Sequence, residues 1–412
     1  MRIISSCILL IFILHSCQNP SEENTKKSTL DVTPYENFPK LLDRHPSLYH
    51  DKEWETVQST YGQVREEIIH GKNPYESKIK LAELFIQEAR ITGEHPHYYP
   101  LALAQFEEVI NSKVENKDLI FRALLGKASV QLSLHDFNNA KTTAEEAVKI
   151  NPYNAQIYGA LVDANVELGL YDKAVEYSDK MISIRPDIRS YSRVSYLREI
   201  YGLVNESEES MKLAIQSGLP GSDERAWAMV TFADFLHQYN KDKEARNVLD
   251  RVLMERIDFP FAYGSLAEIE IDNKNYAKAK EYLDKGSEII PEVGFYVSYA
   301  EIYKAENNTT HFKETIEKVL SMMKEDTDKG HNMDLEFAHL YANVLQDYDQ
   351  ALQYANKEYE KRPENIDVNR CIAMIYALKG DKEKAKQHLL KAARTGSKHP
   401  ELKEIKNLIA TI

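Results

Sequence analysis

Small residues recur along this chain, each with a partner twelve positions on. Ala128 is followed by Ala140, Val162 by Ala174, Ser195 by Ser207, Ala233 by Ala245, Ala267 by Ala279 and Ala373 by Ala385. Larger apolar residues three and four positions away complete each stripe, the period of a helix with one buried face. Two helices pack closely only where small residues meet, so each pair predicts a helical hairpin. In four units a proline stands twelve residues after the second small residue: Ala140 with Pro152, Ala174 with Pro186, Ala279 with Pro291 and Ala351 with Pro363. Proline cannot continue a helix, so it ends the second arm before the next unit begins.

The second small position recurs at 102, 140, 174, 207, 245, 279, 315, 351 and 385, which predicts a repeat array of eight or nine hairpins. The clearest unit reads Tyr158, Leu161, Val162, Gly169, Tyr171, Ala174, Ser178, Met181 and Pro186; a second reads Tyr263, Leu266, Ala267, Tyr276, Ala279, Leu283, Gly286 and Pro291. These residues resemble the tetratricopeptide repeat, and the resemblance runs from about Ser77 to Pro400. It implies an all-α solenoid, a right-handed superhelix of hairpins without a sheet, whose partners lie against the concave face formed by the first helices. The stretch from Ile91 to Leu219, including Leu134-His135-Asp136-Phe137, also resembles bacterial tetratricopeptide-repeat proteins, a likeness that implies no activity of its own.

The departures from the period define further expectations. The first repeat carries an extended turn from Thr92 to Tyr99, and three extra residues fall near Asn307-Asn308-Thr309-Thr310. A linker from Ser321 to Met333 precedes a degenerate unit around Glu336 to Ala351. Trp54, Val57, Tyr61, Val64 and Ile68 form a helical stripe ahead of the array. The organisation read from the sequence is a signal segment over 1–16, a flexible tether over 17–38, a leading helical segment over 39–75, the array over 76–400 and a capping helix over 401–412.

Composition narrows the function classes. Only 15 Gly and 14 Pro occur in 412 residues, which disfavours turn-rich β architectures. The formal charge is −13, so a nucleic-acid surface lacks its electrostatic driving force and no nucleic-acid partner is expected. Cys7, Cys17 and Cys371 are the three cysteines. Cys371 lies in an apolar helical stripe with Met374, Ile375 and Leu378 and reads as a small buried hydrophobe.

At the N-terminus, Arg2 precedes an apolar run through Leu14 that is shorter than the ~20 residues a bilayer span requires. Leu14-His15-Ser16-Cys17 resembles the lipobox of bacterial lipoproteins. The resemblance implies acylation of Cys17 and a lipid-anchored protein of the bacterial cell envelope, at the outer membrane, on its periplasmic or surface face. The polar stretch from Gln18 to about Tyr35 has no period and reads as a tether of roughly 25 Å.

Candidate chemistry is sparse. His95-Pro96-His97 beside Glu94 offers two imidazoles and a carboxylate for a metal but no further nitrogen or sulfur ligand, so a structural loop is expected. Two Glu-x-x-His pairs, Glu67 with His70 and Glu336 with His339, have the spacing of di-iron bundles but stand at opposite ends of the array. Walker, GxGxxG, GxSxG and HExxH motifs are missing; no catalytic residue and no cofactor is expected.

Counting along the repeats places Arg122, Asp163, Arg189, Tyr196, Trp227, Asp234, Phe261, Glu268 and Glu301 on the concave face. Asp163, Asp234, Glu268 and Glu301 occupy one repeat position, an acidic ladder interleaved with aromatic side chains that suits an extended basic or polar segment. The lysine and asparagine set with which some chaperone adaptors of this family clamp a terminal carboxylate is replaced here by Leu125, Gly159, Ser192, Val230 and Gly264. The sequence therefore reads as a non-enzymatic, envelope-anchored scaffold for a protein partner. Two alternatives stand beside it: a glycan- or nutrient-binding lipoprotein resembling SusD-like proteins, and a hydrolase in the stretch from Ser321 to His339.

Overall fold

Every pair of small residues named above is a helix contact. In the computed structural model, which describes residues 33–50 and 52–412, Ala128, Ala140, Ala174, Ala245, Ala267, Ala279, Ala373 and Ala385 are fully buried, and Val162, Ser195, Ser207 and Ala233 are nearly so. The described residues form helices and no strand. Nine hairpins follow one another. Hairpin 1 is Tyr75–Thr92 with His95–Ile110, hairpin 2 Lys117–Ser133 with Phe137–Ile150, and hairpin 3 Ala155–Glu167 with Tyr171–Ile184. Hairpin 4 is Ile188–Ile200 with Val204–Ser217, hairpin 5 Asp223–Gln238 with Asp242–Glu255, and hairpin 6 Pro260–Asp272 with Tyr276–Ile289. Hairpin 7 is Val293–Ala305 with Thr309–Asp328. In hairpin 8 the first arm, Asp334–His339, runs on as a π-helical stretch, Leu340–Leu345, before Tyr348–Lys361. Hairpin 9 is Ile366–Leu378 with Lys382–Ala392, and Pro400–Thr411 caps the end.

Side chains start many first arms: Asn116, Asn154, Asp187, Ser222 and Asn365 each accept a main-chain N–H of the first turn. The leading helix, Glu53–His70, packs on hairpin 1 through Trp54, Val57 and Val64. The signal segment, Cys17 and the tether up to residue 32 lie outside the described residues.

Four local expectations are corrected. The turn in hairpin 1 is only Gly93-Glu94, because Pro96 fits the first helical turn, where its missing N–H has no partner to lose. The stretch 321–328 is helix rather than linker, held by the buried Met322, Met323 and Asp326. No residues are inserted at 307–310: the turn there has three residues like its neighbours, and Phe312, not Thr315, occupies the small-residue position. The end of the predicted tether is packed, since Thr33–Glu36 is helical, Phe38 sits edge-on to Tyr61 and the Tyr35 hydroxyl donates to Glu66.

The superhelix closes on itself along a seam. The Asn332 amide donates to the Leu134 carbonyl at 3.0 Å, and His135 Nδ1 lies 3.0 Å from the Asn332 carbonyl. Next along the seam, Arg362 pairs with Glu167, Asn365 Nδ2 donates to the Glu167 carbonyl at 2.9 Å, and the Ile366 amide donates to Tyr171 Oη at 2.8 Å. Finally Arg394 donates to the Gly169 carbonyl and Thr395 Oγ1 to the Ile200 carbonyl, both at 2.6 Å. The turns of hairpins 2, 3 and 4 thus meet, in order, the connections that follow hairpins 7, 8 and 9.

A chamber inside the superhelix

The concave face and the seam together frame two compartments that stay open to solvent. The larger compartment, about 1100 Å³, is walled by the first arms of hairpins 1 to 6 and reached by His331 from across the seam. A second compartment of about 440 Å³ lies between hairpins 2–4 and hairpins 7–9, and the two share Leu132, Ser133, His135 and Asp163.

Five of the sequence-nominated residues, Arg122, Asp163, Arg189, Trp227 and Phe261, line the larger compartment, and Tyr196 lines the smaller. Trp227 and Phe261 make an aromatic platform with ring centroids 4.3 Å apart, steadied by Phe259, whose ring stands edge-on to Trp227 at 5.5 Å. The charged residues are already paired. Arg193 holds Asp163 through two bonds of 2.8 and 2.5 Å, Arg122 reaches Glu76 at 2.6 Å, and Arg189 pairs with Glu224. Arg193, which the sequence reading missed, stands one helical turn after Arg189 and lies over Gly159, where a Cβ would meet its guanidinium at 3.2 Å. A small residue at 159 makes room for the arginine, and the arginine neutralises the first rung of the acidic ladder.

Asp234, Glu268 and Glu301 stand on the first arms of hairpins 5, 6 and 7 but are not among the chamber-lining residues. Crowding by protein pushes the Asp234 carboxyl up to about 6 against the hydrogen bond of Ser265, and burial pushes Glu301 up to about 7. In the smaller compartment Tyr196 Oη donates to Asp367 at 3.3 Å, and Arg370 binds Asp367 at 2.5 Å and Glu401 at 2.7 Å. Burial alone would raise the Asp367 carboxyl; Arg370, His399 and Arg362 together outweigh it and hold the group below its ordinary value.

The histidines gather where sequence spacing could not show it. His135 and His331 meet edge to face, 4.6 Å between centroids, and His95 stacks on Tyr99 at 4.9 Å. Burial, aided by neighbouring positive charge, pushes His95 down to about 4 and His331 well below its ordinary value, so both are neutral. His97 turns away to the Lys40 carbonyl at 2.9 Å, which separates the two imidazoles of the 95–97 segment. Among the described residues no group of three or more His, Cys, Asp or Glu is placed to hold a metal ion. Glu67 accepts from Ser77 and Gln63 on the leading helix, whereas Glu336 and His339 line the smaller compartment, so the two Glu-x-x-His pairs are not brought together. Cys371 is buried, and burial pushes its thiol up to about 12. No helix among the described residues is long and apolar enough to cross a membrane.

The family model described as a tetratricopeptide repeat matches residues 121–154, 155–188, 262–292 and 372–395, which cover most of hairpins 2, 3, 6 and 9 and the connections after them. A search of the curated proteins finds no match. Among solved structures, the chain is similar to the APC/C hetero-tetramer Cut9-Hcn1, with 14% identity over 87% of this chain and 74% of that one and a TM-score of 0.44. It is similar to Pseudomonas aeruginosa pilF, with 16% identity over 59% and 100% of the respective chains and a TM-score of 0.39. It is also similar to a tetratricopeptide repeat protein from Parabacteroides merdae, with 15% identity over 62% and 98% and a TM-score of 0.42. These likenesses are of fold alone. The chain carries tetratricopeptide repeats and folds as a tetratricopeptide-repeat solenoid, an architecture that generally mediates protein–protein interaction.

Proposed function

We propose that the protein is a non-enzymatic scaffold that holds a segment of a protein partner in its interior and is tethered to the bacterial envelope through acylated Cys17. The observation that carries the reading is the Trp227–Phe261 platform, set beside the Arg189–Glu224 and Asp163–Arg193 pairs in one compartment. An aromatic anchor ringed by exchangeable ion pairs is the composition of a binding hot spot. Its volume of about 1100 Å³ suits an extended segment rather than a folded domain. Among the described residues the turns between paired arms have two or three residues, shorter than the loop excursions that the SusD-like alternative implies.

In-cell crosslinking of the full chain tests the proposal, with the wild type set against a Trp227→Ala/Arg189→Glu variant, both positions lining the larger compartment. Partners captured by the wild type and lost from the folded variant support the interior as the site. The same partners captured by both move the interaction elsewhere. Separately, replacing Cys17 by serine is expected to move the protein from the membrane to the soluble fraction; unchanged membrane association ends the anchoring proposal.

A further inference from the structure

We infer that the larger compartment carries, where it joins the smaller one, a subsite for a primary ammonium group, and that a lysine side chain of the partner segment occupies it. The inference rests on the reading of the chamber as the partner site and names the chemistry that segment presents.

Three parts of the fold meet at this junction: the turn of hairpin 1, with Glu94 and the adjoining His95; the turn of hairpin 2, with His135; and the entry to hairpin 8, with His331 and Glu336. His95 and His331 line the larger compartment, Glu336 lines the smaller, and His135 lines both. His135 packs edge to face on His331, and its Nδ1 lies 3.6 Å from Glu336 Oε1. The second arms of hairpins 1 and 7 touch, which brings Glu325 close enough for its charge to act on Glu94.

The junction offers more acceptors than its own donors use. His331 is only 5% exposed, yet neither of its ring nitrogens has a hydrogen-bond partner among the described residues. The buried atoms His95 Nδ1, Glu94 Oε2 and Glu336 Oε2 have none there either. The Asn332 carbonyl can only accept, so a neutral His135 ring donates to it through Nδ1 and keeps a lone pair on Nε2. Buried polar atoms are nearly always paired, so this arrangement fits a group that brings several donors of its own.

The local charge selects a cation. Glu94, Glu325, Asp326 and Glu336 surround the imidazoles, and burial followed by the Glu325 charge pushes the Glu94 carboxyl up to about 7. Of the arginines acting on the junction, Arg90 donates to Ser129, and Arg362 is held by Glu167 and Glu358. His95 and His331 are neutral, so they supply lone pairs without repelling a cation. The acceptors come from three separate parts of the chain, which suits the divergent donors of an ammonium better than the flat fork of a guanidinium. The Trp227–Phe261 platform lines the same compartment, so one segment presents both an apolar anchor and a lysine.

Ligand-observed NMR titration of the full chain tests the subsite. The probes are a capped tripeptide with lysine between two alanines, its norleucine and arginine counterparts, and n-butylammonium. The lysine peptide is expected to bind at least about 10-fold more tightly than either counterpart. His331→Leu removes a buried ring without partners, so it is expected to leave Tm unchanged or higher while weakening the lysine peptide at least about 10-fold. Glu94→Gln keeps the shape, removes the charge and is expected to weaken that peptide as well. Equal binding of the three peptides overturns the subsite, because water alone then satisfies the junction. Lysine affinity unchanged in both variants also overturns it, since the peptide then binds the acidic surface elsewhere. Binding of n-butylammonium as tight as that of the lysine peptide overturns the peptide source and leaves a free amine as the ligand. Failure of the partner reading looks different: the lysine peptide binds and both substitutions weaken it, yet the Trp227→Ala/Arg189→Glu variant keeps every crosslinked partner.

Discussion

Ser195 and Ser207 each donate a hydroxyl to the other's main-chain carbonyl, 2.8 Å in both directions, where the helices of hairpin 4 touch. In hairpins 2, 5, 6 and 9 the same positions are alanines. The serines substitute for them because each satisfies the other inside the core. Replacing both by alanine is expected to be nearly neutral, while either single replacement costs about 1 kcal/mol and the two costs do not add. Urea denaturation of the four proteins checks this.

Gly202 and Gly380 share a left-handed backbone but not their surroundings. Alanine at Gly380 meets no atom within 4 Å and is expected to cost only the conformational penalty of about 1–2 kcal/mol. Alanine at Gly202 meets the Gly396 carbonyl as well and is expected to cost at least about 1 kcal/mol more. Chemical denaturation of the two variants side by side measures the difference, and equal losses would remove the seam contact from the account.

Arg44 and Glu88 form a wholly buried pair with bonds of 2.7 and 2.6 Å, which docks the N-terminal segment on hairpin 1. Arg44→Ala strands a buried carboxylate and is expected to cost about 3–5 kcal/mol, whereas Arg44→Met/Glu88→Leu is expected to recover most of it. Thermal melts of the single and double variants separate the two cases.

Acid and base pull the fold in opposite directions at two places. His95 titrates near 4 when folded and near 6.5 when unfolded, so the unfolded chain binds the extra proton between those values. Its contribution to stability is whole above pH 6.5 and is lost as pH falls toward 4. Glu301 titrates near 7 when folded against an ordinary 4.5, so its contribution is present below 4.5 and is lost as pH rises through 7. His95→Gln is expected to flatten the acid limb of the Tm profile. Glu301→Gln is expected to raise Tm at pH 8 and leave it unchanged at pH 4.5.

Contacts between the two arms of each hairpin were legible in the sequence because they repeat: a small residue, its partner twelve positions on, and a proline. Hairpin 7 broke the reading because Phe312 stands where a small residue was sought, and Thr315 looked closer to the rule. The turn in hairpin 1 was misread because Pro96 breaks a helix in its middle but not at its start. In the chamber, Arg189 and Trp227 were legible from repeat position. Arg193 was legible in principle, four residues on, but its value lies in a bond to Asp163 on another hairpin. The seam was not legible, since its donors and acceptors are ordinary groups at and beside turns, joined across 195 to 225 residues.

A solenoid whose units touch only their neighbours can be shortened at one end with little effect on the other, and its stability approaches a sum of local terms. The bonds from Arg362, Asn365 and Thr395 to the turns of hairpins 3 and 4 remove that independence. They raise the mean sequence separation of contacts, which slows the final folding step, and they tie residues 362–395 to the middle of the array. Hairpins 1 to 6 alone would hold well-formed but unlocked repeats. Docking of hairpins 7 to 9 on the turns of hairpins 2 to 4 is therefore the event that turns a row of hairpins into one cooperative body.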